Sequence, residues 1–216
     1  MQDTLSTLYL IRHGSVVNPF EYTYGRVRNV PLSDVGKTQM EYLGKSIQQK
    51  GDSPSSIYVS SLRRTQESAE VLHSLFSEAV IYKKDELMES ETKNYIGRPL
   101  SWLHTIDNPY DVQNQQQYGY TTETEESQKN RVITIIREAL SMYSGHTICI
   151  VSHGDPLLFA LEGLLHPGRP FRPISVLKKE LYLLRGEAWR LVINDTLEVK
   201  EQERFTQEIQ PDTSYG

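Results

Sequence analysis

The sequence predicts an α/β fold of three layers, with a mostly parallel central sheet flanked by helices on both faces. Three observations carry that prediction. Apolar residues alternate between strand-like runs and helical spacing along most of the chain. Residues 146–151 read as a strand, apolar without interruption from Ile148 to Val151, of the kind found at the centre of a parallel sheet. With 38% hydrophobic and 24% charged residues over 216 positions, the chain can bury one sizeable core, which excludes global disorder.

Residues 8–11 read as a short buried strand running into Arg12-His13-Gly14. A helix follows over 34–50, where Val35, Gln39, Leu43 and Ile47 recur at four-residue spacing, Ser33 supplies the N-cap and Gly51 the stop. Residues 57–59 form a second strand leading into Ser60-Ser61, then a helix over 62–76 buries Ala69, Leu72 and Phe76, and 79–82 makes a third strand. From 83 to 126 the period is lost. Tyr95, Trp102, Tyr110, Tyr118 and Tyr120 stand in a polar, Gln-rich stretch too aromatic for a linker, which predicts an insertion or cap with short helices. An amphipathic helix over 127–142 turns Val132, Ile135, Ile136, Ala139 and Leu140 inward, and the strand 146–151 ends at Ser152-His153-Gly154 before a helix over 155–165. Residues 180–184 and 189–193, joined across Arg185-Gly186-Glu187-Ala188, read as a hairpin. The expected organisation is one domain over 1–205 with a cap-like insertion at about 90–126, followed by a polar tail over 206–216.

Composition narrows the function. A net charge of -5 leaves no overall basic footprint for nucleic acid, though a local basic pocket stays possible. Cys149 is the one cysteine, which excludes an internal disulfide and any C-x-x-C metal or redox site, and its apolar strand predicts an inert thiol. No apolar run is long enough to span a bilayer, and Met1-Gln2-Asp3-Thr4 does not open a signal peptide, so a cytoplasmic protein without membrane partners is expected.

The chemistry gathers at strand ends. His13-Gly14 and His153-Gly154 both follow predicted strands, and ligands of open α/β sheets bind beyond the carboxyl ends of strands. Arg12 precedes the first histidine, and a third strand end leads into Leu62-Arg63-Arg64-Thr65. Two imidazoles and guanidinium groups on one sheet edge describe an anion site suited to phosphate. Read alone, an Arg-His-Gly at a strand end is more often structural than catalytic. His73, His104, His146 and His166 read as structural or exposed, and Gly36-Lys37-Thr38 lacks the glycine a phosphate loop needs at Pro31.

Leu10-Ile11-Arg12-His13-Gly14 followed by Asn18 resembles the opening motif of the histidine phosphatase superfamily, the phosphoglycerate-mutase-like proteins. Ordered similarity continues through Tyr24-Gly25, Pro31-Leu32-Ser33-Asp34-Val35-Gly36, Ser60-Ser61-Leu62-Arg63-Arg64-Thr65, Leu87-Met88-Glu89, Glu126-Ser127 and Ser152-His153-Gly154. The resemblance implies that His13 is the nucleophile, that Arg12, Arg64 and His153 hold the phosphoryl oxygens, and that Glu89 is the proton donor. By the same resemblance Asn18 and the backbone near Gly25 frame the pocket, and neither a metal nor a cofactor is needed. Arg63 beside Arg64, and Glu86 and Glu91 beside Glu89, are the competing choices.

The mutases of this family are similar in carrying Ser or Thr three residues after the nucleophile, where this chain has Val16, and paired arginines before the catalytic Glu, where it has Glu86-Leu87-Met88. A valine donates no hydrogen bond. The expected activity is therefore hydrolysis of small phosphorylated metabolites, the alternatives being a phosphoglycerate mutase or a non-catalytic phosphate-binding protein. Arg26 and Arg28 contact a second anionic group or form a solvated surface pair.

Overall fold

A computed structural model describes residues 4–103 and 105–206. The chain runs β1 (Leu5–Arg12), α1 (Asp34–Gln49), β2 (Pro54–Ser60), α2 (Arg63–Leu75), β3 (Val80–Lys84), a 3₁₀ turn (Asp85–Leu87) and β4 (Thr92–Lys93). It continues through α3 (Leu100–Leu103), α4 (Val112–Tyr118), β5 (Thr121–Thr122), α5 (Glu125–Tyr143), β6 (Thr147–Ser152) and α6 (Gly154–Leu165). Last come α7 (Ile174–Glu180), β7 (Ala188–Asn194) and β8 (Val199–Phe205).

The main sheet has the order β3-β2-β6-β1-β7-β8. β3, β2, β6 and β1 are mutually parallel, β7 runs antiparallel to β1, and β8 antiparallel to β7. Strand alternation sorts side chains to two faces. Leu8, Leu10, Tyr58, Ile148 and Ile150 meet the inner sides of α5 and α6. Tyr9, Ile11, Ile57, Val59, Cys149 and Val151 meet those of α1 and α2. The strands read as apolar throughout because both faces are covered, and burying each large aliphatic side chain contributes ~1.5–3 kcal/mol. The predicted three-layer α/β architecture is therefore present.

Ser33 caps α1, its side chain accepting from the Gly36 amide. Val35, expected on the buried face, is 44% exposed; the face is completed instead by Gly36 and Met40. The hairpin expected over 180–193 is a correction. Residues 174–180 are helical, and β7 finds its hairpin partner in β8, whose charged Lys200, Glu201 and Glu203 hid it from an apolar pattern. Such charges suit an edge strand, where they discourage pairing with another chain. The 181–184 segment buries Leu181 and Leu183 without joining the sheet. Its carbonyls are satisfied by side chains: Trp189 Nε1 donates to Leu181, Arg204 to Tyr182 and Arg12 to Leu183, at 3.0, 2.6 and 2.9 Å.

The 90–126 segment contains α3, α4 and the short β4–β5 ladder. No helix among the described residues is long and apolar enough to cross a membrane. Met1, His104 and the tail from 207 onward lie outside the described residues.

Candidate active site

β6 lies between β1 and β2, so the carboxyl ends of three adjacent parallel strands meet. His13 follows β1, His153 follows β6, and Ser60 closes β2 just before Arg64 enters the first turn of α2. The Ser152 carbonyl accepts from the His13 amide at 3.1 Å, which ties the two histidine-bearing turns together. Close packing of the first turn on α1 needs glycine, because a Cβ at Gly14 would collide with the Gly36 carbonyl.

Hydrogen bonds assign the imidazole tautomers. His13 Nδ1 lies 2.7 Å from the Gly14 carbonyl, which can only accept, so Nδ1 carries the proton and Nε2 keeps its lone pair. Arg64 Nε points at that Nε2 from 3.3 Å. His153 is the reverse: Arg64 Nη2 donates to its Nδ1 at 3.2 Å, and its Nε2 donates to Ser60 Oγ at 2.9 Å. Arg64 itself is held by the Gly25 carbonyl at 2.8 Å, by the Val27 carbonyl at 3.3 Å and by the face of Tyr24. Arg12 donates to the Leu183 carbonyl and lies over the Tyr182 ring. A third guanidinium, Arg185, is buried beside them and donates to the Tyr24 hydroxyl at 3.0 Å.

Burial pushes the pKa of His13 well below the ordinary imidazole value, and the charges of Arg64, Arg12 and Arg185 push it further. His153 is depressed in the same way, by burial and then by Arg64. Both rings are thus neutral in the folded protein. Below pH ~6.5 the unfolded chain binds protons that the folded one refuses, so each histidine destabilises the fold as pH falls, by up to ~1.4 kcal/mol per pH unit. Urea unfolding of His153→Asn should therefore show a shallower acid loss of stability than the wild type between pH 6.5 and 5. Equal slopes would mean that His153 is already protonated in the fold.

Glu89 follows the 3₁₀ turn that caps β3. Ser152 Oγ donates to the Leu87 carbonyl at 2.7 Å, and Arg26 and Arg131 donate to the Glu89 carbonyl at 2.7 and 3.3 Å. Both arginines are themselves anchored on the Glu123 carboxylate, at 3.0 and 2.9 Å. This grip brings Glu89 Oε2 to 3.9 Å from His153 Nδ1. The side chain keeps 19% of its exposure, enough to exchange a proton with water. Burial raises its pKa, the nearby Asp155 carboxylate adds to the rise, and Arg64 opposes it. A carboxyl of this kind can hold a proton nearer neutrality than an exposed glutamate does.

Of the competing residues, Arg63 is half exposed and paired with Glu67 at 2.7 Å, while Glu86 and Glu91 are exposed. Asn18 binds the Tyr22 backbone through both ends of its amide, and Gly25 sits at φ +39° with its carbonyl on Arg64. Arg26 is a scaffold residue for Glu89, and Arg28 is an exposed side chain. Val16 is buried in the core beside Leu32. Of the other described histidines, His73 and His166 are partly buried and His146 is exposed.

Sequence reasoning passed over Arg185, Ser60 and Asp155. Arg185 stood in an apparent hairpin turn, where arginine is ordinarily solvated, and no local pattern marks it. Ser60 opens one recognised motif and Asp155 directly follows another, positions that could have nominated them.

A cavity of about 100 Å³ continues from the Glu89 side of this cluster toward the 90–126 segment, bordered by Tyr24, Gly25, Tyr95, Tyr110, Asp155 and Tyr182 among others. A larger open groove of about 670 Å³ lies between α5, α6 and β8 and includes none of the histidines or arginines above.

Similarity to known proteins covers nearly all of this architecture. The chain resembles the solved structure of Bacillus stearothermophilus YhfR at 21% identity and a TM-score of 0.71, over 90% of this chain and 94% of that one. A mycobacterial glucosyl-3-phosphoglycerate phosphatase aligns at 17% identity and a TM-score of 0.69, over 92% and 96% of the two chains. The α-ribazole phosphatase of Shigella flexneri aligns at 24% identity and a TM-score of 0.67, over 89% and 93%. No curated protein matches the sequence. The family model that does match extends from residue 8, inside β1, to residue 194, the end of β7, and so takes in both histidine-bearing strand ends: the chain belongs to branch 1 of the histidine phosphatase superfamily.

Proposed function

We propose that the protein hydrolyses small phosphomonoesters through a phosphohistidine on His13. One observation carries the reading: a neutral imidazole presents the Nε2 lone pair beside the Arg64 guanidinium, with a raised-pKa carboxyl 3.9 Å from the His153 Nδ1 that the same guanidinium engages. His13 Nε2 attacks phosphorus in line, and the bond to the leaving oxygen breaks as Glu89 gives that oxygen its proton. Water then attacks the phosphohistidine, Glu89 takes the water proton, and inorganic phosphate leaves with the imidazole restored. Arg12, Arg64 and Arg185 supply positive charge where the non-bridging oxygens gather it, and His153 offers a neutral imidazole beside them. That neighbours of this fold are named phosphatases supports hydrolysis. The narrow cavity under the cap favours metabolites over phosphoproteins.

The test is phosphate release from a panel of sugar, nucleotide and amino-acid phosphates. Three guanidinium groups already provide the charge that a metal would, so turnover is expected to survive exhaustive chelation unchanged. Activity lost to EDTA and restored by a divalent ion would overturn the mechanism.

A further inference from the structure

We propose that the cavity beyond the phosphate site selects monoesters whose alcohol carries a ring and an uncharged or cationic hydrogen-bond donor, and disfavours alcohols bearing a carboxylate or a second phosphate. This deepens the phosphatase reading and rests on it for the position of the phosphoryl group.

The walls are apolar and ring-lined: Tyr24, Tyr95, Tyr110 and Tyr182 with Leu100 and Leu103. Tyr95 is braced by Trp102 and Tyr120 at ring separations of 5.3 and 5.4 Å, and Tyr110 stands edge-on to Phe159 at 5.0 Å, so these two walls are preformed. A volume of about 100 Å³ with an open mouth is on the scale of one ring, since apolar cavities of ~150 Å³ hold benzene.

The cavity places a carboxylate opposite the ring. Asp155 borders it beside the proton donor Glu89, and the cation that borders it, Lys178, is exposed on α7. Asp155 Oδ2 accepts from the Tyr110 hydroxyl at 2.5 Å, which orients the carboxylate and leaves Oδ1 as an acceptor for a ligand hydroxyl or ammonium. Nearby arginines that could have held a second anion are engaged elsewhere. Arg26 and Arg131 grip Glu123, and Arg98 lies 4.2 Å over Trp102 while donating to the Tyr118 carbonyl. A carboxylate on the substrate would face Asp155, while the buried Arg12 and Arg185 stand behind the Tyr182 and Tyr24 walls on the phosphate side and the one cation among the described lining residues, Lys178, is exposed.

Calorimetric titration with phosphonates reads this without depending on turnover. Benzylphosphonate, its 4-aminomethyl form and its 4-carboxy form are compared on the wild-type protein. The amine should bind tightest and the carboxylate at least tenfold more weakly than the parent. Asp155→Asn should remove the advantage of the amine and narrow the penalty on the carboxylate. Equal affinities for all three would overturn the proposal, as would binding of inorganic phosphate alone. So would tightest binding of the carboxylate, with its advantage lost in Lys178→Ala. Hydrolysis of benzyl phosphate, assayed in parallel, separates the two claims: turnover without discrimination defeats only the selectivity, and discrimination without turnover defeats only the hydrolase.

Discussion

His13→Ala abolishes turnover, with a fall of ~10⁴-fold or more, because it removes the bond-forming atom rather than a supporting contact. The neutral tautomer makes the expectation specific. Nδ1 is committed to the Gly14 carbonyl, so phosphorus can be received only at Nε2. Rapid quenching of the wild type with labelled substrate should trap one phosphoryl group per chain, labile in acid and stable in alkali, as a phosphoramidate is. In the alanine variant that label should be absent, while the buried guanidinium groups still bind inorganic phosphate. Wild-type hydrolysis by His13→Ala would place the nucleophile elsewhere.

Glu89→Gln should divide substrates by their leaving group. An alkoxide is a poor leaving group and needs a proton as the P–O bond breaks, whereas nitrophenolate departs without one. General acid help is worth ~10²–10⁴ in rate, so alkyl phosphate turnover should fall by that order. The first chemical step with p-nitrophenyl phosphate should fall far less. Hydrolysis of the phosphohistidine then lacks its base, and a burst of nitrophenol equal to enzyme should precede a slow steady state. Glutamine keeps the size and the hydrogen-bonding capacity of the side chain, so a simple loss of packing predicts no such split. Equal losses for both substrates, without a burst, would leave Glu89 as a positioning residue.

The position of Glu89 also depends on Glu123 at one remove. Its carboxylate holds the two arginines that clamp the Glu89 carbonyl, which explains how an acid following a short 3₁₀ turn is kept in place. Arg26 therefore has a structural duty, although its sequence position near Gly25 suggested either a substrate contact or a solvated charge. The alternatives could be separated only by locating Glu123, 97 residues away.

How much was legible in the sequence follows from the range of the interactions concerned. The strands, their burial on both faces and the two histidines at their carboxyl ends are written in runs of six residues or fewer. Period-two alternation and short apolar runs are local consequences of backbone geometry. The segment 181–184 broke that logic. Its leucines alternate with other apolar residues like those of a strand, but Trp189, Arg204 and Arg12 claimed its carbonyls and left no ladder to form. β8 failed in the other direction, being an edge whose solvated face carries charge in place of an apolar pattern.

The sequence by itself determined the α/β class, the order of its main helices, and the candidate pair His13 and His153 with Arg12 and Arg64. The tertiary structure alone decided that Arg185 joins them, across 161 residues from its partner Tyr24, and that burial, with Asp155 beside it, raises the pKa of Glu89. The reason is electrostatic. What a buried charge does depends on desolvation and on the charges within a few ångströms of it, and those neighbours come from segments remote in the chain.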